Sequence, residues 1–442
     1  MLIRPARNIR GSLRLPGDKS ISHRYAMLAG IADGCSRLEN FATGADCAAT
    51  LRCMEFLGCE VLRPAPGVKP PGVKEPGVND SCVVEIEGNG PFLKSPSQPL
   101  DCGNSGSTIR MLAGILAGQK FSSELKGDSS LSRRPMERIV EPLRRMGARI
   151  AAQGEDGRPP LSIGESRLHG VEHLLRVASA QVKSCLLFAG LYAEGETVVL
   201  EPERTRDHGE LALAAFGADV DVIARGRIRV RPGAPLKPVH ALIPGDISTA
   251  AFFLGAAALF PDSNLVFDDL LLSPTRAAIL DVLRALGLRL NILRVEERHG
   301  ELSGALQARH GRLRGVSISG ALSTALIDEL PVLAAIAPYA SEGVEIHDAR
   351  ELRVKESDRI AAVAANLRAM GAEVEEYDDG LRVLGNQRLH GAELQSFGDH
   401  RIAMAFAVAA LRADGDSHIQ GAEAAGISFP EFYATLENLV ER

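Results

Sequence analysis

Leu143–Ile150 reads LRRMGARI: the end of an amphipathic helix, Gly147, and the opening of a strand with nothing between. The same outline returns as FLGCEV around Gly58, AAFGADV around Gly217, LRALGLRL around Gly287 and LRAMGAEV around Gly371. Glycine after a helix supplies the left-handed backbone conformation that turns the chain straight into a strand. Successive matches lie 89, 70, 70 and 84 residues apart, so the spacing predicts a repeated α/β element of about 70 residues. A sixth helix, FPEFYATLENLVER, closes the chain with no strand expected after it. The opening segment MLIRPARNIRGSLRL is read as the strand that completes this last element, which places both termini in one domain.

A chain of 442 residues exceeds what one hydrophobic core usually supports, so six elements divide most simply into three per domain. One domain is expected to hold 1–16 and 245–442, the other 17–244. The crossovers between them are expected near 16–18 and 240–246, where PGD occurs at Pro16–Asp18 and again at Pro244–Asp246. The PGV repeat within Pro64–Asp80 is too rich in proline and glycine for a helix or a central strand and reads as an exposed excursion without catalytic meaning.

Hydrophobic residues make up 45% of the chain and charged residues 24%, with no tryptophan, as in an ordinary globular protein. A net charge of −6 argues against a body that binds nucleic acid or a membrane surface through its overall field, so any anion site must be local. No secretory signal or apolar membrane span is read, and the expectation is a cytoplasmic monomer. Seven cysteines between Cys35 and Cys185 include no C-x-x-C pair, so no metal site is expected.

Three expected helices open with cations, at the end where a helix already carries about half a positive charge. Lys19 and Arg24 flank the start of SISHRYAMLAGIA, Lys355 and Arg359 that of SDRIAAVAANLRAMG, and His400 with Arg401 opens IAMAFAVAAL. Backbone N–H groups together with fixed cations make phosphate or carboxylate sites. The competing reading pairs these cations with Asp18, Glu356 and Asp399. Other helix mouths are polar: Asn104-Ser105-Gly106-Ser107-Thr108, Ser179-Ala180-Gln181 and Asp246-Ile247-Ser248-Thr249. Capping accounts for many of those side chains. Arg110 lies one turn into its helix, and Arg134 precedes Pro135, which would mark another first helical turn. Arg134, Arg359 and Arg401 are candidates for two-pronged grips on small dianions.

Glu356, at the mouth of its helix, and Asp328, beside an apolar run, are the carboxylates that proton transfer would use, unless each is only a cap or an ion-pair partner. There is no G-x-S-x-G elbow, no P-loop and no strand-anchored G-x-G-x-x-G, so neither a serine nucleophile nor a bound nucleotide is indicated.

The ordered motifs GDKSISHR, GNSGSTIR, RRP, SAQVKS, TRDH, PGDIST, DELPVLA, RVKESDR, GDHRIAMA and SFPEF resemble the EPSP synthase (3-phosphoshikimate 1-carboxyvinyltransferase) family over nearly the whole chain. The resemblance implies a two-domain inside-out α/β barrel, each domain three βαβαββ units, with no metal or organic cofactor. It implies enolpyruvyl transfer from phosphoenolpyruvate to shikimate 3-phosphate. Lys19, Ser20 and Arg24 would meet the shikimate phosphate, with Ser179, Gln181 and Lys355 completing that site and Thr205 or Arg206 contributing. Lys19, Asn104, Gly106, Arg134, Gln181, Arg359 and Arg401 would face phosphoenolpyruvate, and Ala180 and His400 are also expected among the substrate-binding residues. Asp328 would accept the 5-hydroxyl proton, and Glu356 would exchange the proton at the phosphoenolpyruvate methylene. Ala180, Glu351 and Ile427 stand where the family often has Ser, Asn and Lys. Gly106 matches members sensitive to glyphosate, whereas GDKS, SAQVK and TRDHGE match a less sensitive subgroup. The alternatives are a sister enolpyruvyl transferase acting on UDP-N-acetylglucosamine and a non-catalytic anion-binding relative.

Overall fold

All five glycines of the repeated outline have positive φ, at +92° for Gly58, +96° for Gly147, +83° for Gly217, +119° for Gly287 and +89° for Gly371. A side chain in this backbone region is strained, which explains why glycine recurs where each helix turns into its strand. The computed structural model describes residues 1–63, 82–224 and 226–442. The PGV repeat at 66–78 lies outside the described residues.

The chain divides into two compact units, one of Met1–Leu15, Gly245–Glu296 and Leu302–Arg442, the other of Pro16–Pro244 and Glu297–Glu301. In the second unit, strand Leu100–Asp101, helix Gly106–Ala117, strand Ser123–Lys126, helix Glu137–Arg145 and strands Arg149–Gly154 and Arg158–Gly164 form one βαβαββ module. Its first strand runs parallel to the second, and the hairpin adds antiparallel on the other side. The stretch Glu172–Arg231 repeats the order strand for strand.

The remaining module of this unit begins with helix Lys19–Gly30, and the strand that belongs before it, His240–Leu242, comes from the far end of the segment. In the first unit Asn8–Arg14 plays the matching part, lying parallel to Asn264–Leu271 ahead of helix Ile247–Leu259. Each of these strands thus opens a module whose helices lie beyond the other crossover. The last helix, Phe432–Leu439, is followed by a two-residue strand, Val440–Glu441, which pairs with Asn8 and Ile9. The expectation of no strand there is corrected: after the turn of the helix, the chain end still finds backbone partners on the N-terminal strand.

Within each unit the sheets carry exposed faces while one set of helices is enclosed. All thirteen residues of Ile247–Leu259 are buried, as are all of His400–Ala410 and ten of the twelve in Gly106–Ala117. Such helices are apolar all round because no face meets water. Burying each large aliphatic or aromatic side chain contributes about 1.5–3 kcal/mol. Small residues permit the close approach: a Cβ on Gly114 would come 2.1 Å from the Cys185 carbonyl of the neighbouring helix. With their flanks enclosed, the enclosed helices present polar groups chiefly at their first turns. Among the described residues no helix is long and apolar enough to cross a membrane.

Candidate active site

Helix Lys19–Gly30 starts at Asp18, whose carboxylate accepts from the Ile21 N–H. Lys19 Nζ donates to Asp46 Oδ2 at 3.0 Å; its side-chain partner here comes from the following helix. Arg24 is buried and donates to Ser184 Oγ, to the Ser20 carbonyl at 2.8 Å and to the Ala180 carbonyl at 3.2 Å. One guanidinium therefore ties the start of helix Lys19–Gly30 to that of Ala180–Gly190, where Ser179 is the cap. Burial lowers the Arg24 pKa to about 10, with Glu210 opposing the shift, so the group keeps its charge at neutral pH. Arg206 also faces Arg24 electrostatically. Thr205 differs, because both its N–H and its hydroxyl donate to Glu201.

A second group surrounds Gly106. Arg110 donates to Gln181 Oε1 at 2.8 Å, and Gln181 donates to Ser107 Oγ at 2.9 Å. Arg134 donates to the Asn104 amide oxygen and to Ser130 Oγ, while Asn104 donates to Asp128 at 2.7 Å. A Cβ on Gly106 would lie 2.7 Å from Arg110 Nη1 and 3.3 Å from Arg134 Nη1, so the missing side chain lets two guanidiniums converge. Pro135 is not in a first helical turn: a 3-10 turn, Leu131–Arg133, precedes it, and the helix begins at Glu137 after Met136. An extended Arg134 separates the two turns, as expected of a residue before proline.

A buried relay joins these two groups. His23 Nδ1 lies 2.7 Å from Thr50 Oγ1, which lies 2.7 Å from Thr108 Oγ1, and Thr108 donates to Ser105, the cap of helix Gly106–Ala117. Because Thr108 gives its hydrogen to Ser105, Thr50 must donate to Thr108 and His23 must donate from Nδ1. Burial first, then the charges of Lys19 and Arg24, hold the His23 pKa well below its ordinary value.

The first unit assembles its candidates around Arg359, the first residue of helix Arg359–Ala369. The buried guanidinium donates to Glu356 at 2.6 Å and to Asp399 at 2.8 Å and 3.3 Å, and its Nη1 lies 3.6 Å from Asp328. Burial would depress its pKa, but the three carboxylates, Asp399 foremost, raise it above the ordinary value. Asp399 also caps helix His400–Ala410 through the Arg401 N–H. Arg401 donates to the Asp328 carbonyl at 2.7 Å, and its Nε lies 3.7 Å from the Asp328 carboxylate. Lys355 is crowded into the same group, and its pKa is lowered by burial against the opposing pull of Asp328. Glu351 adds to that field, His400 is buried beside Asp399, and Ile427 ends a 3-10 turn.

The sequence candidates thus fall into two sets, one per unit. Lys19, Ser20, Arg24, Asn104, Gly106, Arg134, Ser179, Ala180, Gln181 and Arg206 belong to one; Asp328, Lys355, Glu356, Arg359, His400 and Arg401 belong to the other. Asp399, named in the sequence only as an ion-pair partner, does pair with Arg359, whereas Asp46 and the buried trio Lys183, Glu201 and Glu210 are not among the sequence candidates. Lys183 donates to Glu201 at 2.9 Å and to Glu210 at 2.7 Å. A lysine inside the apolar run VKSCLLFAGLY was the available signal, since a buried ammonium requires carboxylate partners.

A family model described as EPSP synthase (3-phosphoshikimate 1-carboxyvinyltransferase) matches residues 3–436. The 3-phosphoshikimate 1-carboxyvinyltransferase of Koribacter versatilis (strain Ellin345) is 58% identical over 440 residues, covering 100% of this chain and 99% of the relative. That of Solibacter usitatus (strain Ellin6076) is 51% identical, covering 99% of each. The solved EPSP synthase of Acinetobacter baumannii superposes with a TM-score of 0.86 at 38% identity, over 99% of this chain and 98% of that one. With the repeated modules, both charged sets and these likenesses spanning the whole length, the chain belongs to the EPSP synthase family.

Proposed function

We propose that this enzyme transfers the enolpyruvyl group of phosphoenolpyruvate to the 5-hydroxyl of shikimate 3-phosphate and releases phosphate, a step toward chorismate and the aromatic amino acids. The observation that carries the reading is the Arg359 group, in which a buried guanidinium holds Asp328, Glu356 and Asp399 beside Lys355 and Arg401. Asp399 serves as cap and counter-charge, but a site that only bound anions has no need of the paired acids Asp328 and Glu356 beside its cations, whereas acid–base chemistry uses them.

In this reading Lys19, Ser20, Arg24, Ser179, Gln181, Arg206 and Lys355 hold the shikimate phosphate. Lys19, Asn104, Gly106, Arg134, Gln181, Arg359 and Arg401 hold phosphoenolpyruvate, and Ala180 and His400 are further substrate-binding residues. Asp328 accepts the 5-hydroxyl proton as that oxygen attacks C2 of phosphoenolpyruvate, and Glu356 delivers a proton to C3, giving a tetrahedral intermediate. Glu356 then takes a proton back from C3 as the C2–O bond to phosphate breaks, and the proton that Asp328 took from the 5-hydroxyl leaves with the phosphate, which returns both carboxyl groups to their starting states. Cations and N–H groups at the helix starts stabilise the charge that accumulates on phosphate. The enzyme acts on these small molecules as a cytoplasmic monomer with no metal or organic cofactor.

Phosphate release from phosphoenolpyruvate, measured with each acceptor in turn, tests the reading. Release is expected with shikimate 3-phosphate alone. Release with UDP-N-acetylglucosamine would transfer the assignment to the sister activity, although no cysteine lies between Cys102 and Cys185 to match that family's reactive loop residue. Tight binding of both substrates without turnover would mark an inert relative.

A further inference from the structure

An open cavity of about 360 Å³ in the first unit is lined by Arg10, Asp262, Asn264, Arg289, Arg309 and His310. Strand register builds it: Asn264 is paired with Arg10 on one side and with Arg309 on the other. Two arginines therefore stand in one row about 10 Å apart, and Arg289 comes from the strand at the edge of the same sheet.

Both row arginines are anchored by Nε. Arg10 Nε donates to the Asp262 carbonyl at 3.0 Å, and Arg309 Nε donates to Asn264 Oδ1 at 3.3 Å. Among the described residues no carboxylate forms an ion pair with Arg10, Arg289 or Arg309, which leaves the two Nη groups of each anchored guanidinium as a fork for an oxyanion. Asn264 Oδ1 also accepts from Gln307 Nε2 at 2.9 Å, which fixes the amide so that Nδ2 remains a donor. Asp262 is the one acid against three arginines in the lining, in a chain whose net charge is −6.

The mutual repulsion of such a row is relieved when an anion occupies it. The cavity lies at the beginning of strand Asn264–Leu271, whereas the Arg359 and Asp399 groups follow strand ends, after Val344–Ile346 and Glu393–Gln395. We infer that this cavity is a second anion site, separate from the catalytic one, for a small metabolite bearing a phosphoryl group. Its concave shape and volume suit a small ligand rather than a polymer.

Calorimetric titration of the full chain carrying Glu356→Gln, which is expected to bind both substrates with little turnover, with inorganic pyrophosphate in the absence and presence of saturating shikimate 3-phosphate and phosphoenolpyruvate tests this. One class of binding is expected to survive saturation of the catalytic site. Arg289→Gln/Arg309→Gln is expected to weaken that class at least tenfold while leaving turnover unchanged, and Arg10→Gln alone to weaken it several-fold. Pyrophosphate affinity that neither variant changes would overturn the site. Tighter binding of a short oligonucleotide than of pyrophosphate would overturn the small-ligand assignment.

Discussion

Arg359 donates from Nε to Asp399 Oδ2 across 2.8 Å with both side chains almost completely buried. The same aspartate starts helix His400–Ala410 by accepting from the Arg401 N–H at 2.8 Å. One carboxylate thus fixes the origins of two helices whose first residues carry the cations of the proposed site. Asp399→Ala removes the cap and leaves a buried guanidinium short of its principal counter-charge. A loss of about 3–5 kcal/mol is expected in urea unfolding; a loss below about 1 kcal/mol would show that the pair does not organise the fold.

Glu356 accepts from Arg359 Nη2 at 2.6 Å, so Glu356→Gln retains a hydrogen-bond acceptor while losing the group that moves a proton. Turnover should fall about 10²–10⁴-fold, with substrate dissociation constants within a few-fold of the parent. Steady-state kinetics alongside calorimetric binding separates the two. A kcat near that of the parent enzyme would remove Glu356 from the mechanism.

Gly106→Ala places a methyl group against the ends of Arg110 and Arg134. Flexible guanidinium tips can move aside, so the fold should survive while the grip on phosphoenolpyruvate loosens. The expected signature is a rise of about three- to tenfold in KM for phosphoenolpyruvate, with a smaller change for shikimate 3-phosphate and an unaltered unfolding midpoint. An equal rise for both substrates would contradict the assignment of this group to phosphoenolpyruvate.

Two buried histidines predict the acid limb of stability. Burial, then Lys19 and Arg24, lowers the pKa of His23, and burial with Arg145 lowers that of His173 to about 4. Below the ordinary value of 6.5, the unfolded chain takes up protons that the folded one refuses. Stability is therefore fully present above that value and falls as pH drops toward 4. His173 alone should remove on the order of 2 kcal/mol between pH 7 and pH 5. Urea unfolding at several pH values should show a flatter slope for His173→Asn than for the parent; an identical slope would refute the assignment.

The repeated modules were legible because each depends on local chemistry: a glycine at positive φ must sit where helix becomes strand, and Gly58, Gly147, Gly217, Gly287 and Gly371 all do. Cations at helix starts were legible for the same reason. Their partners were less so. Lys19 meets Asp46 from the next helix, and no local pattern encodes that choice. Val440–Glu441 is too short to show periodicity and exists because Asn8 and Ile9 offer backbone partners. The row formed by Arg10, Asn264 and Arg309 depends on the register of three segments distant in sequence, which side-chain spacing along one strand does not specify.

Enolpyruvyl transfer run in D2O gives the most direct test of the account. Addition to C2 with proton delivery to C3 makes a methyl group that carries solvent deuterium before one hydrogen isotope is lost again. Mass spectrometry of the product should therefore find deuterium in the enolpyruvyl methylene with the parent enzyme. Product formed at full rate with no deuterium there would contradict proton exchange at C3 and, with it, the addition–elimination path.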